Sequence, residues 1–257
     1  MINQLQVHQF ACLSDNYGYL IHDPVHKVTA AIDTPDADAY FAELDKMGWR
    51  LTHIFNTHHH ADHAGGNLAL KEMTGCEITG AANDAHRIPG IDVRVADGDF
   101  FMFGDHRIDV LETPGHTTGH IVFYASEQNM AFVGDTLFAM GCGRLFEGSA
   151  EMMWNSLSKL LNWPDETQIY CAHEYTMANA KFALSVDGNN ADLQNRMQEV
   201  IKLRNDNIPT VPTNMGIERR TNPFLRALDA DFAEGLGLAG QPAVDVFAEA
   251  RRRKDNF

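Results

Sequence analysis

The stretch Thr57-His58-His59-His60-Ala61-Asp62-His63-Ala64-Gly65-Gly66 limits what this chain can be more than any other part of it. Imidazole and carboxylate groups crowd together behind a short apolar run (51–57) and ahead of two glycines. His58 and His60 are two apart, so in an extended or tightly turning segment their rings face one side while His59 points away. Asp62 and His63 follow after a bend and can address a second point close by. Nitrogen and carboxylate oxygen donors suit borderline divalent ions such as zinc, iron, manganese or cobalt. A lone histidine is more often a polar group satisfied by hydrogen bonds. Packing this many such groups unpaired would cost desolvation with no return. The cluster therefore reads as half of a two-metal hydrolytic site.

Closing two metal sites takes more donors, and on a layered α/β scaffold these belong where a strand meets a loop. Three such places recur: Thr113-Pro114-Gly115-His116 after an expected strand over 107–112, Gly134-Asp135-Thr136 after 130–133, and Ala172-His173-Glu174 after 168–170. Each alone is weak; their repetition in order carries the weight. Around them, short apolar runs at 5–7, 17–21 and 28–32 read as strands of a hairpin or meander. Asp33-Thr34-Pro35-Asp36 supplies capping side chains for a helix whose Tyr40, Phe41, Leu44 and Met47 recur at helical spacing until Gly48. Gly65-Gly66 open a further helix that ends at Gly75. The chain from 76 to 135 is mostly β, with runs at 91–95, 100–103 and 121–124 besides those already named. A helix over 149–162 precedes the last strand. Strands, helices and strands again place the chain in the α/β class, as a layered sandwich. Beyond His173 the texture is helical (175–186, 191–206, 243–254), with a loop expected over 207–223. Two domains follow, 1–173 and 174–257.

His58-x-His60-x-Asp62-His63, followed by His116, Asp135 and His173, resembles the metallo-β-lactamase superfamily in its full two-metal form. The resemblance implies a four-layer αβ/βα sandwich with a mainly helical C-terminal domain. It implies a first metal on His58, His60 and His116, a second on Asp62, His63 and His173, and Asp135 bridging. Zinc comes first among the metals, with iron or manganese compatible. Zinc-dependent β-lactamases commonly depart from this pattern, some with cysteine at the Asp135 position. Within the superfamily, 141–148 (GCGRLFEG), 172–176 (AHEYT), 222–226 (NPFLR) and 251–257 (RRRKDNF) resemble glyoxalase II, the hydroxyacylglutathione hydrolases, over nearly the whole chain. That family implies hydrolysis of S-D-lactoylglutathione to D-lactate and glutathione, the second step of methylglyoxal detoxification. Asp62 and Asp135 would orient the metal-activated water. The helical domain would bind substrate, with Arg251 and Lys254 on the glycine-carboxylate side of glutathione beside Arg144 and the Tyr175 hydroxyl. Some relatives carry tyrosine where this chain has Phe146, which can donate no hydrogen bond.

Charge makes that grip conspicuous. The 257 residues carry 20 Lys+Arg against 35 Asp+Glu, a formal net charge of -15, yet residues 251–254 are consecutive cations. They could serve only to complement a helix C-terminus, but glutathione carries two carboxylates, and an acidic enzyme needs a local cationic patch to hold it. The same balance opposes nucleic acid and anionic membranes as partners. Scattered Cys12, Cys76, Cys142 and Cys171, and the lack of a leader or an apolar span, point to a soluble cytoplasmic protein; a monomer is expected. No base is paired with Cys142 or Cys171, so neither is expected as a nucleophile. His59 and His120 are expected to stabilise loops, His8, His22, His26, His53, His86 and His106 to be satisfied or at the surface, and Met152-Met153-Trp154 to pack a helix. The rival readings are a glutathione persulfide dioxygenase with a single iron on the same scaffold, a nuclease, and a non-catalytic metal- or glutathione-binding protein.

Overall fold

A computed structural model describes residues 4–257. The chain folds as two compact units, one running to Glu112 and taking in Gly119–Gly134, the other made of Thr113–Thr118 and Asp135–Phe257.

The first unit holds β1 (Gln6–Cys12), β2 (Asn16–Asp23), β3 (Val28–Ile32), α1 (Ala37–Met47), β4 (His53–Phe55), α2 (Ala61–Ala64), α3 (Asn67–Thr74), β5 (Glu77–Ala81) and β6 (Val93–Val95). It continues with β7 (Phe100–Phe103), β8 (His106–Glu112), β9 (Ile121–Ala125) and β10 (Met130–Gly134). Strands β1 to β6 form one sheet in sequence order, antiparallel through β3 and parallel from there. The switch follows from the connections: tight turns join the first strands, whereas α1 and α3 cross over between the later ones. Strands β7 to β10 form an antiparallel meander. Phe55 of the first sheet packs on Phe101 and Phe123 of the meander at ring separations of 4.9 and 5.5 Å, and Tyr19 packs on Phe132 at 5.9 Å. Such pairs add about 0.5–1.5 kcal/mol beyond burial, and they set the spacing of the two sheets. Helix α1 starts at Asp36, whose side chain accepts from Asp38 N, and stops at Gly48 with φ +66°. Tyr40 fastens it to the sheet: its hydroxyl accepts from Tyr19 N and donates to Ile32 O.

The second unit holds β11 (Leu137–Phe138), β12 (Gly141–Cys142), α4 (Ala150–Leu160), β13 (Gln168–Cys171), α5 (Thr176–Val186), α6 (Ala191–Asn205), β14 (Thr213–Asn214), α7 (Met215–Thr221), α8 (Ala230–Gly235) and α9 (Ala243–Asp255). Its core joins Ala180 and Ala183 of α5 to Leu193 and Val200 of α6 and to Met140. A second aromatic series runs through Phe182, Phe224, Phe247 and Trp154. The loop expected over 207–223 is a correction: it contains β14 and α7. Asn214 caps α7 by accepting from Ile217 N, a signal hidden between Pro212 and Gly216. Strand β5, the β11–β12 hairpin and α8 were likewise not anticipated. Among the described residues, no helix is long and apolar enough to cross a membrane.

Candidate metal centre and substrate cavity

In the first unit the donors follow β4 directly. Thr57 and His58 are fully buried, and the chain turns at His60 into the single turn of α2, which presents Asp62 and His63. Asp33, at the end of β3 with φ +56°, organises this corner. One of its oxygens accepts from Thr57 N (2.7 Å); the other accepts from the Thr57 hydroxyl (2.8 Å) and from His63 Nδ1 (2.8 Å). A carboxylate partner puts the His63 proton on Nδ1 and leaves Nε2 as the donor atom. The Thr57 hydroxyl, having given its proton to Asp33, accepts from His58 Nδ1 at 3.1 Å. His58 Nε2 is therefore also a lone pair, and it lies 3.0 Å from His60 Nδ1. Asn16 donates to the Asp62 carbonyl (3.1 Å) and carboxylate (3.3 Å). Asp33 had been read only as part of the helix cap. That cap is Asp36, and Asp33 instead holds Thr57 and His63.

His59 turns away, as expected, and its Nδ1 pairs with Asp84 at 3.0 Å. His120 stacks on His58 with ring centroids 4.8 Å apart. At Gly134 (φ +47°) an added Cβ would meet the Thr57 hydroxyl at 2.5 Å and His120 Nε2 at 2.8 Å. This glycine is needed for close approach, as well as for its backbone angle.

In the second unit the structure brings His116, Asp135 and His173 together. His116 Nδ1 donates to Arg144 O at 2.9 Å, so Nε2 again carries the lone pair, 3.5 Å from one oxygen of Asp135. The other oxygen lies 3.4 Å from His173 Nε2. Ligand atoms that share one ion at about 2.0–2.2 Å in tetrahedral geometry stand roughly 3.3–3.6 Å apart. Asp135 thus presents one oxygen to each imidazole. Histidine and aspartate groups of this kind, among the described residues, could hold divalent ions. Gly143 permits it: a Cβ there would sit 2.1 Å from Asp135 O and 3.0 Å from His116 Nδ1.

A cavity of about 450 Å³ opens from His116 and Asp135. Its lining includes the aromatic rings of Phe138, Phe146 and Tyr175, the cations Arg144, Arg251 and Lys254, and Cys142 and Asn179. The Tyr175 ring stacks on His173 at 4.7 Å with planes 1° apart, and Phe138 meets both rings edge-on at 5.4 and 5.9 Å. All four expected substrate residues line this one cavity. They are not equally available. Arg251 is 4% exposed and held by Asp255 (2.7 Å) and Cys142 O (3.1 Å). Lys254 donates to Ala178 O at 3.2 Å, and burial, with Arg251 and Arg144 nearby, pushes its pKa down to about 8. Burial pushes the Cys142 thiol up to about 11 and the Cys171 thiol up to about 12, so both stay protonated. Sequence reasoning missed Asn179 and Phe138: Phe138 lies on a strand of two residues, too short to read, and Asn179, although on the helix expected over 175–186, has no local signal that singles it out.

The family model described as metallo-beta-lactamase superfamily matches residues 28–173, and that described as hydroxyacylglutathione hydrolase C-terminus matches residues 174–257. The chain is 54% identical over 256 residues to the hydroxyacylglutathione hydrolase of Maricaulis maris (strain MCS10), covering 100% of each. The crystal structure of the BLEG-1 B3 metallo-beta-lactamase superposes with a TM-score of 0.66 at 20% identity, covering 86% of this chain and 99% of that one. A protein solved in a di-iron-bound form superposes with a TM-score of 0.62 at 25% identity, covering 86% of this chain and 100% of that one. The fold is the α/β metallo-β-lactamase fold expected from the sequence.

Proposed function

The chain belongs to the hydroxyacylglutathione hydrolase family of the metallo-β-lactamase superfamily, and from that premise we propose that it hydrolyses S-D-lactoylglutathione and related S-2-hydroxyacylglutathiones to the hydroxy acid and glutathione. The observation that carries the reading is the cavity that starts at His116 and Asp135 and gathers Arg144, Arg251 and Lys254 in a chain of net charge -15. Cations collected in one cavity of an acidic protein select an anionic ligand. Glutathione, with two carboxylates and a thioester-forming sulfur, can lay its charges on them while its acyl carbon reaches the donors.

His58, His60 and His116 would hold one divalent ion and Asp62, His63 and His173 the other, with Asp135 bridging; when bound, such ions supply an activated water and polarise a carbonyl. Zinc is the proposed metal. The di-iron form of a structural neighbour keeps iron in view, because these donors accept either. Asp62, with its side chain 41% exposed, and Asp135 would orient that activated water and relay its proton. Arg144, Lys254 and the Tyr175 hydroxyl hold the glutathione moiety, while Arg251 keeps the cavity wall in place and adds its field. The protonated Cys142 and Cys171 take no covalent part. Residues 1–173 would supply the chemistry and 174–257 the grip, in a cytoplasmic monomer with no nucleic-acid or membrane partner. The single-iron persulfide dioxygenase reading leaves the two-sided placement of Asp135 without a use.

The test is hydrolysis of S-D-lactoylglutathione by purified protein, with metal content measured on the same sample. Turnover with two metal ions per chain is expected, and absence of turnover with both ions bound overturns the assignment. The pH dependence gives a second check. Below pH of about 8 Lys254 is an ammonium that can pair with a substrate carboxylate; above it the neutral amine cannot. KM is therefore expected to rise as pH passes upward through about 8. In Lys254→Met protein KM should be higher throughout and lack that rise, and a wild-type profile in this variant would remove Lys254 from the grip.

A further inference from the structure

The fully buried carboxylate of Glu218 has no part in metal or substrate binding, yet the β11–β12 hairpin depends on it. The hairpin carries Phe138 and Cys142 into the cavity, and its tight turn leaves backbone groups with no partner in a ladder. At that turn Met140 stands at φ +53°, which a non-glycine residue keeps only when its surroundings impose it. Side chains from three helices and their borders supply the missing partners. Met140 N donates to Glu218 Oε2 at 2.7 Å. Asn222 donates to Phe138 O (3.1 Å), to Gly141 O (2.9 Å) and to the same Glu218 oxygen (3.0 Å). Asn179 donates to Ala139 O at 3.1 Å and Arg251 to Cys142 O at 3.1 Å. Thr213 lies 2.7 Å from Glu218 Oε1.

We infer that Glu218, acting with Asn222, is a positioning residue for substrate: it fixes the β11–β12 hairpin and through Phe138 sets the cavity wall that meets the stacked Tyr175 and His173 rings edge-on. This rests on the proposed glutathione thioester reading for its kinetic consequence, though not for its structural one.

Geometry rather than charge is what the hairpin requires. Oε2 accepts two hydrogen bonds, whereas Oε1 meets only a hydroxyl that can either donate or accept. An amide keeps both contacts, its oxygen replacing Oε2 and one N–H donating to the Thr213 hydroxyl, at the cost of a second N–H without a partner. Burial raises the Glu218 pKa, which agrees with a site that does not depend on ionisation. Aspartate keeps the charge but is one methylene too short to reach Met140 N.

The variants Glu218→Gln, Glu218→Asp and Glu218→Ala are compared with the wild type as metal-loaded full-length chains. Two readouts are used: KM and kcat for S-D-lactoylglutathione, and amide hydrogen exchange over 137–143. Glu218→Gln is expected to stay within about twofold of the wild type in both. Glu218→Asp and Glu218→Ala are expected to raise KM about fivefold to tenfold, to change kcat less than threefold, and to speed exchange at Met140 at unchanged metal content. If Glu218→Ala does not fold, the aspartate variant decides. The inference is overturned if Glu218→Asp keeps wild-type KM and exchange, or if Glu218→Gln is as impaired as Glu218→Asp, which would make charge the requirement. A wild-type protein that fails to hydrolyse the thioester sinks the functional reading instead, and the exchange pattern still judges the hairpin.

Discussion

Asp135→Ala protein is expected to fold, to lose bound metal, and to lose at least about 10³-fold in kcat/KM, or roughly 4 kcal/mol of transition-state stabilisation. The size follows from where its oxygens lie. One stands 3.5 Å from His116 Nε2 and the other 3.4 Å from His173 Nε2, so a single truncation removes a donor from both proposed ions. It also leaves two histidines and a cavity wall without the charge they were arranged around. Asp135 is 7% exposed, and alanine in its place removes a buried carboxylate as well as a proposed ligand, so thermal stability without metal should fall little. Metal analysis, kcat/KM and melting temperature on one preparation separate these effects. Full activity in this variant would end the two-metal scheme.

How much of this could be read beforehand depended on how local the signal was. His58, His60, Asp62 and His63 sit within one turn of chain, and their spacing alone proposes a metal. His116, Asp135 and His173 were legible only as donors at strand ends, and the structure brings them together across more than 50 residues. The antiparallel pairing of β1 to β3 agrees with the hairpin or meander expected for those apolar runs, whereas the change to parallel pairing after β3 was not read from the sequence. Helix α7 was not legible, because flanking prolines and Gly216 lower its propensity and its stability comes from tertiary contacts, including those of Glu218 and Arg219. The β11–β12 hairpin was invisible for the same reason: each of its strands is two residues long, too short for any periodicity, and its partners are 40 to more than 100 residues away. Asp33 is a different failure. Its identity suited a helix cap, and nothing local distinguishes a capping aspartate from one that orients a histidine 30 residues on.

That second role makes Asp33→Asn a sharper probe than its near-identical shape suggests. The Asp33 oxygens accept from Thr57 N, from the Thr57 hydroxyl and from His63 Nδ1. An asparagine must keep its single oxygen toward Thr57 N, which can only donate. Its NH2 then faces His63 Nδ1, and the imidazole must shift its proton to Nε2, the atom proposed to bind metal. The opposite orientation sets two donors, the amide and Thr57 N–H, against one another in a buried corner. The Thr57 hydroxyl also loses its acceptor, and with it the reason for His58 Nδ1 to hold a proton. One substitution therefore mis-sets both histidine tautomers without removing a ligand. Loss of an outer partner of this kind costs about 10–100-fold in metal affinity, and the larger figure is expected here because two ligands depend on the same carboxylate. The second ion should be lost first, since His63 is the more directly affected, and activity should return in part when metal is added in excess. Measured by metal titration, an affinity equal to wild type would mean that His63 takes its tautomer from elsewhere. The same loss in Asp33→Ala, without recovery at high metal, would mean that Asp33 serves the fold rather than the site.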